Sequence, residues 1–250
     1  MSDGVVCLHS SASSSRQWRA LSGRLAGEFR VETPDLYGSG AAPPWPGGRP
    51  LTLADEVARL EPAIRTVGEP FHLVGHSYGG AVALHLALAD PGRIRSLVLF
   101  EPVLFGLLVA EDPEQPGARE ILDVSRRTAT GELAAAGETF IDYWMGAGAW
   151  AASPEPRRQA FAQAMSGVRE QWPALFDEPT PLAAYGKVGV PTLLLTGTDS
   201  PASSRGVARL LAETLPDVTV VMLEEVGHMG PVTHPALVNE LIAGHLNRLA

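Results

Sequence analysis

A serine lies between glycines where an apolar, strand-like run passes directly into a helical pattern. Residues 73–80 read L-V-G-H-S-Y-G-G and contain the pattern G-x-S-x-G centred on Ser77. A strand can enter a helix with a single capping residue, so an ordinary connection does not need these glycines. In a tight strand–turn–helix, a side chain two positions before or after the serine would collide with neighbouring structure, and both positions favour glycine. The stretch predicts an α/β fold in which this turn, a nucleophile elbow, lifts the Ser77 hydroxyl above the sheet.

Short apolar runs alternate with helical patterns along the chain, which is typical of parallel βαβ units. The runs are continuously apolar, as in a sheet covered by helices on both faces. The predicted strands are residues 5–9, 29–33, 71–75, 96–100, 192–196 and 218–223. The predicted helices are residues 17–26, 53–66, 78–89, 205–214 and 235–248. The pattern predicts a doubly wound α/β fold with a mainly or wholly parallel sheet of about six strands.

The alternation stops between residues 103 and 184, which have a helical composition broken by proline and glycine and contain no convincing strand. A structureless loop of that length is unusual in a compact domain. We therefore predict a core formed by residues 1–102 and 185–250, with a helical cap inserted at 103–184. The cap holds half of the aromatic residues, which line an apolar pocket or form the cap's own core; among them are Phe140, Tyr143, Trp144, Trp150, Phe161, Trp172 and Phe176.

Charge and cysteine content exclude several classes of partner. The chain has 250 residues, 45% of them hydrophobic, and a formal net charge of −9, which disfavours nucleic acid and anionic membrane surfaces as partners. The single cysteine, Cys7, excludes an intrachain disulfide and a four-thiolate metal site, and we expect it to be buried. The sequence shows neither a secretory leader nor a run of 18 apolar residues, so we expect a cytoplasmic protein.

A serine hydroxyl needs a base within hydrogen-bonding reach to act as a nucleophile. His228 lies between glycines after the last predicted strand, at the same edge of the sheet as Ser77, and is the favoured base among seven histidines. His234 precedes Pro235 and is interpreted as the start of a helix.

The ordered motifs resemble those of the α/β-hydrolase fold family. They are a first strand ending in His9, the run D-L-Y-G-S-G at 35–40, the elbow, an inserted cap, G-T-D at 197–199 and G-H at 227–228. The resemblance implies the chain order nucleophile, acid, histidine, and an acyl-enzyme mechanism that needs no metal or organic cofactor. Relatives commonly begin with an antiparallel hairpin; this chain starts at the following strand, so we expect six strands that are all parallel.

The resemblance also implies an oxyanion hole made by the backbone N–H of Tyr78 and a second N–H that corresponds by position to Ser11. The family's usual histidine-glycine pair is His9-Ser10 in this chain. Because the donor is a backbone N–H, it does not depend on the side chain, and serine in place of glycine at position 10 is compatible with the oxyanion hole. The serines after it add hydroxyl donors or cap the helix near residue 17.

Two carboxylates are candidates for the acid that orients His228. The family's usual position corresponds to Ser200, which has no carboxylate, and Asp199 lies one residue earlier. Glu101 follows four apolar residues at the end of the strand after the elbow helix, another position that the family uses. A glutamate there is costly to bury unless it is paired. We favour Glu101 and keep Asp199 as the alternative.

These features predict hydrolysis of a small, apolar carboxylic ester. Carbon–carbon bond hydrolases, lactonases and haloperoxidase-like members of the fold share the same triad and are alternatives. A small-molecule receptor that retains the triad and a non-catalytic scaffold are alternatives from other classes. Five residues are candidate pocket residues: His9, Ser10, His76, Tyr143 and Trp144. We expect a small-molecule partner and a monomer or a homodimer, the latter through an edge strand left open by the missing hairpin.

Overall fold

The computed structural model describes residues 3–250 as one six-stranded sheet in which every paired strand runs parallel to its neighbour. The strand order is β2-β1-β3-β4-β5-β6. The strands are β1 (Gly4–Leu8), β2 (Arg30–Glu32), β3 (Phe71–His76), β4 (Ile94–Phe100), β5 (Thr192–Gly197) and β6 (Val218–Leu223). The predicted doubly wound, all-parallel α/β sheet of six strands is confirmed.

Eleven α-helices are assigned within the described residues. They are α1 (Arg19–Leu25), α2 (Leu53–Val67), α3 (Tyr78–Ala89), α4 (Phe105–Glu111), α5 (Pro116–Ala129), α6 (Leu133–Met145), α7 (Ala149–Ala152), α8 (Glu155–Phe176), α9 (Ala202–Thr214), α10 (Gly230–Thr233) and α11 (Pro235–Asn247). Three short 3₁₀ helices are Ser15–Trp18, Pro91–Arg93 and Leu182–Lys187. Within residues 3–250, no helix has the length and apolarity to cross a bilayer.

Successive residues of the central strands point to opposite faces of the sheet, and helices bury both faces. In β1, Val6 and Leu8 join the apolar cluster formed with α2, α3 and α9. Val5 and Cys7 join the cluster formed with α1 and α11, and Cys7 is fully buried, as expected. Covering both faces explains why these strands are continuously apolar.

The last strand, β6, departs from the sequence-based expectation. Its continuous apolar run predicted burial on both faces, but Val220 is 47% exposed and Met222 is 52% exposed. The reason is its position, because β6 is the final strand of the sheet and pairs only with β5. At the opposite edge, β2 has three residues and none of them is fully buried.

Residues 103–184, all of them described, form helices and loops without a strand. Within this segment α6 packs on α8 and α5, while α5 also contacts α9 of the remaining chain. Its apolar side chains belong to the same cluster as one face of the sheet. The division into a core of 1–102 and 185–250 and a cap of 103–184 stays a prediction.

Candidate active site

The turn between β3 and α3 holds Ser77 in a strained backbone conformation, with φ of 55° and ψ of −117°. A Cβ atom on Gly75 would lie 2.5 Å from the carbonyl oxygen of Gly79. A Cβ atom on Gly79 would overlap the carbonyl oxygens of Leu8 and His9. These close approaches explain why both positions carry glycine. A non-glycine residue with positive φ costs of order 1–3 kcal/mol and is held by its surroundings, which is common at functional sites.

Three buried side chains form a chain of hydrogen bonds at the C-terminal edge of the sheet. Ser77 Oγ lies 3.0 Å from His228 Nε2, and His228 Nδ1 lies 2.7 Å from Glu101 Oε2. If Nδ1 carries the proton that it donates to the carboxylate, Nε2 has its lone pair facing the serine hydroxyl. This arrangement is the one in which an imidazole can accept the serine proton.

Glu101 lies directly after β4, at a positive φ of 43°, and is fully buried. Its second oxygen, Oε1, accepts hydrogen bonds of 2.8 Å from Thr196 Oγ1 and from the backbone N–H of Gly197. Burial by itself would raise the pKa of Glu101, but the hydrogen bond and charge of His228, with the Gly197 N–H, lower it to about 2. The carboxylate is therefore ionised at neutral pH and able to stabilise a protonated His228.

Asp199, the alternative acid, lies in an exposed position. Its carboxylate accepts a hydrogen bond of 3.2 Å from Thr198 Oγ1, and its backbone N–H donates to Val226 O. The structure thus brings Glu101, rather than Asp199, to His228. The role of Glu101 as the catalytic acid stays a prediction, which substitution of Glu101 and of Asp199 can test.

Two further histidines hydrogen-bond to backbone groups near the site. His76 Nε2 donates to the carbonyl oxygen of His228 over 2.9 Å, and burial, followed by the charge of His228, lowers the pKa of His76 to about 3. His76 is therefore neutral at neutral pH. His9 Nε2 accepts from Leu36 N at 3.1 Å, and His9 Nδ1 lies 2.8 Å from Ser10 O, which fixes the loop after β1.

The two backbone groups proposed for the oxyanion hole are free to bind a ligand. Within residues 3–250, neither Ser11 N nor Tyr78 N donates a hydrogen bond. Tyr78 N is the first N–H of α3, at the positive end of the helix dipole. Ser11 lines the same cavity as Ser77. Their role as oxyanion donors stays a prediction.

A narrow cavity lies between Ser77 and the helices of 103–184. Apart from Ser11, Ser77 and Gln171, its walls are apolar: Val103, Phe105, Phe140, Trp144, Val168, Trp172 and Leu175. Its free volume is about 10 Å³, which is room for about one water. The indole of Trp144 lies on the imidazole of His228, with 4.1 Å between the ring centroids. A substrate needs more space than one water, so side chains of residues 103–184 must move for it to bind here.

Of the five candidate pocket residues, Trp144 lines this cavity, and substrate contact by the other four stays a prediction. The rings of His9 and His76 are buried and engaged with backbone as described above. Ser10 Oγ donates to Gln17 Oε1 over 3.0 Å. Tyr143 is adjacent to Trp144 on α6, so its side chain points elsewhere, and its hydroxyl lies 2.7 Å from Ser203 Oγ.

A family comparison agrees with the fold. The model of the alpha/beta hydrolase family matches residues 5–241. The chain belongs to this family. Pimeloyl-(acyl-carrier protein) methyl ester esterase from Aeromonas hydrophila is 29% identical over 265 aligned positions, covering 95% of this chain and 93% of that protein. Lipase LipV from Mycobacterium tuberculosis is 38% identical over 101 residues, 40% of this chain and 37% of that protein.

A solved structure supports the same assignment. The thermophilic esterase from Thermogutta terrifontis superposes on this α/β-hydrolase with a TM-score of 0.76 and 26% identity. The superposition covers 100% of this chain and 91% of the esterase chain. With relatives named as esterases and lipases, this chain is an enzyme, a hydrolase of the α/β-hydrolase fold.

Sequence reasoning did not identify five of the ten residues that line the cavity of this hydrolase, which are Val103, Phe105, Val168, Gln171 and Leu175. Val168, Gln171, Trp172 and Leu175 follow one face of α8 at spacings of three and four residues. A polar Gln171 on that otherwise apolar face is the signal that could have found it. Within residues 3–250, no group of three or more potential metal-ligating side chains comes together.

A buried glutamate lies beneath the elbow helix of this α/β-hydrolase. Glu56 accepts hydrogen bonds of 3.1 Å from the Tyr78 hydroxyl and from Tyr37 N. Burial raises the pKa of Glu56 to about 7, although these two hydrogen bonds act to lower it. A raised pKa means that the folded state binds the proton more tightly, so stability is lost as the pH rises from the ordinary value of 4.5 to about 7.

We expect Glu56→Gln to stabilise the fold above pH 7 by up to about 3 kcal/mol, because the amide cannot ionise. Urea unfolding of both proteins between pH 5 and pH 8 measures the difference, which should grow across this range. The exposed Glu138→Gln is the matched control and should show no such trend. A change in the free energy of unfolding that is the same at pH 5 and at pH 8 would contradict the raised pKa of Glu56.

Proposed function

We propose that this protein is a serine hydrolase that cleaves small carboxylic esters with an apolar acyl group. The hydrogen-bonded chain from Ser77 through His228 to Glu101 is the observation that carries the proposal. Its opening onto a cavity with apolar walls supports an apolar acyl group, since such sites bind mainly through apolar contact with a few polar anchors.

In the proposed reaction, His228 takes the Ser77 proton as the serine oxygen attacks the ester carbonyl carbon. The backbone N–H groups of Ser11 and Tyr78 stabilise the negative oxygen of the tetrahedral intermediate. The ester C–O bond breaks, His228 gives its proton to the leaving alcohol, and the acyl group stays on Ser77. Water, deprotonated by His228, then releases the acid and restores the serine. Glu101 stabilises the imidazolium in both halves of the reaction.

A panel of p-nitrophenyl acetate, butanoate and octanoate tests this proposal, with Ser77→Ala as the control. We expect turnover of the two shorter esters and weak turnover of the octanoate, because the cavity has little free volume. Faster turnover of a lactone or a vinylogous diketone than of every ester would favour a lactonase or a carbon–carbon bond hydrolase. Ligand-induced thermal stabilisation without turnover would favour a receptor. Failure of a fluorophosphonate to label Ser77 would favour a non-catalytic scaffold.

A further inference from the structure

We propose that a polar cleft beside the cavity is the subsite for the alcohol part of the ester, and that Gln171 donates a hydrogen bond to that part. The inference rests on the ester hydrolysis proposed above and adds the substrate class, an ester of a hydroxyl-bearing alcohol.

The cleft, called here the outer cleft, has a volume of about 990 Å³. One wall is the loop of residues 12–17, the opposite wall is α8, and the loop of residues 38–41 closes one end. Both walls continue into the narrow cavity: Ser11 extends the loop, and Val168 and Gln171 of α8 line both spaces. The outer cleft and the cavity are therefore neighbouring spaces separated by a few side chains.

A hydrogen bond joins the two walls, in which Ser11 Oγ donates to Gln171 Oε1 over 2.6 Å. Within residues 3–250 the amide nitrogen of Gln171 makes no hydrogen bond, although the residue is only 2% exposed. This nitrogen is not among the fully enclosed polar atoms, so an acceptor on a bound molecule can reach it and form the hydrogen bond that it lacks. Gln171 is the polar group that a substrate extending from the cavity into the outer cleft would meet.

The outer cleft differs from the cavity in its polarity. Among the described residues, the hydroxyls of Ser13 and Ser14 and the guanidinium of Arg16 form no hydrogen bond or ion pair. The amide nitrogen of Gln17 is buried and also lacks a partner. The carboxylate of Asp35 is already engaged by two backbone N–H groups, from Ser15 and Ala41. The free groups can hydrogen-bond to the hydroxyls of an alcohol, whereas an alkyl group would leave them unsatisfied.

The chemistry of the acyl-enzyme indicates which half of the ester enters this cleft. When the ester C–O bond breaks, the acyl group stays bonded to Ser77, and the alcohol leaves with the proton that His228 returns. Water must then reach the same carbon from the side that the alcohol has left. That side must communicate with solvent, as the outer cleft does, and the enclosed apolar cavity is left for the acyl group. The other groove adjoining the cavity is closed by Trp144, which packs on His228.

Two esters of the same acid test the assignment. They are 2,3-dihydroxypropyl butanoate and propyl butanoate, which differ only in two hydroxyls on the alcohol. We expect wild-type kcat/KM to be about tenfold higher for the dihydroxypropyl ester. Gln171→Met, which keeps the side-chain length, should reduce this ratio about fivefold, the change expected for loss of one neutral hydrogen bond. The loss should lie in KM more than in kcat, because the contact is made equally in the ground state.

Ser11→Ala is the matched control, since it removes the same wall-to-wall hydrogen bond but leaves the Gln171 amide in place. An equal fall of the ratio in both variants would overturn direct binding and assign Gln171 a positioning role. If Gln171→Met fails to fold, the double variant Ser13→Ala/Ser14→Ala in the cleft should lower the ratio too, and an unchanged ratio there would overturn the subsite. If the wild-type protein turns over both esters with equal kcat/KM, the subsite proposal is wrong and the hydrolase proposal is unaffected. Turnover of neither ester overturns the hydrolase proposal itself.

Discussion

Ser77→Ala is expected to lower kcat for p-nitrophenyl butanoate by about 10⁴- to 10⁶-fold, because the variant cannot form an acyl-enzyme. His228 and the oxyanion donors would remain and could support only slow, direct attack by water. The variant should keep the wild-type fold, since alanine fits the space of serine and the backbone hydrogen bonds of the turn, from Ser77 N to Phe100 O and from Gly79 N to His9 O, do not involve the side chain. Burst-phase kinetics and fluorophosphonate labelling measure the loss directly, and both should disappear.

The chain offers a matched control for this substitution. Ser96 Oγ lies 2.7 Å from His72 Nδ1, and both residues are fully buried within β3 and β4, below the edge that carries Ser77. This pair has serine–histidine contact but lines none of the cavities described above. We expect Ser96→Ala to retain turnover and labelling. Comparable activity in Ser77→Ala and wild type would remove the basis for every catalytic role proposed here.

The second large effect on turnover is expected for the carboxylate that orients His228. We expect Glu101→Gln to lower kcat about 10⁴-fold, the size seen when a carboxylate that orients a catalytic histidine becomes an amide. The amide can donate to His228 Nδ1, which would favour the tautomer with the proton on Nε2 and no base facing Ser77. Asp199→Asn is the matched control and should stay within about threefold of wild type, because its carboxylate is exposed and bonded to Thr198. Steady-state kinetics of both variants on one ester measures the contrast.

The same substitution has a consequence for stability. Because the pKa of Glu101 is lowered to about 2, its stabilising contribution is fully present above the ordinary value of 4.5 and is lost as the pH falls through 2. Glu101→Gln should therefore lack the part of the acid-unfolding slope that wild type shows in this range. A large loss of activity in Asp199→Asn, with Glu101→Gln near wild type, would reverse the assignment of the acid.

The sequence alone determined the fold, the elbow at Ser77 and the position of His228, because these depend on local rules. Apolar runs and helical patterns specify strands and helices through short-range periodicity. The glycines around Ser77 are required because the turn has no room for a side chain at those positions. The carboxyl ends of parallel strands share one edge, so topology places the loop of His228 near Ser77 without any knowledge of contacts.

Only the tertiary structure decided which carboxylate meets His228, which side chains line the cavity and which strand is exposed. Glu101 and Asp199 both follow strands at the same edge, and the backbone turn of Glu101, at φ of 43°, is what directs its side chain to His228. Tyr143 and Trp144 are neighbours in the sequence, but adjacent positions on α6 point in different directions, so only Trp144 lines the cavity. Val220 is as apolar as the residues of the central strands, yet it is exposed because β6 has one neighbour in the sheet. Each of these outcomes depends on what lies across space from a residue, and local sequence does not encode that neighbour.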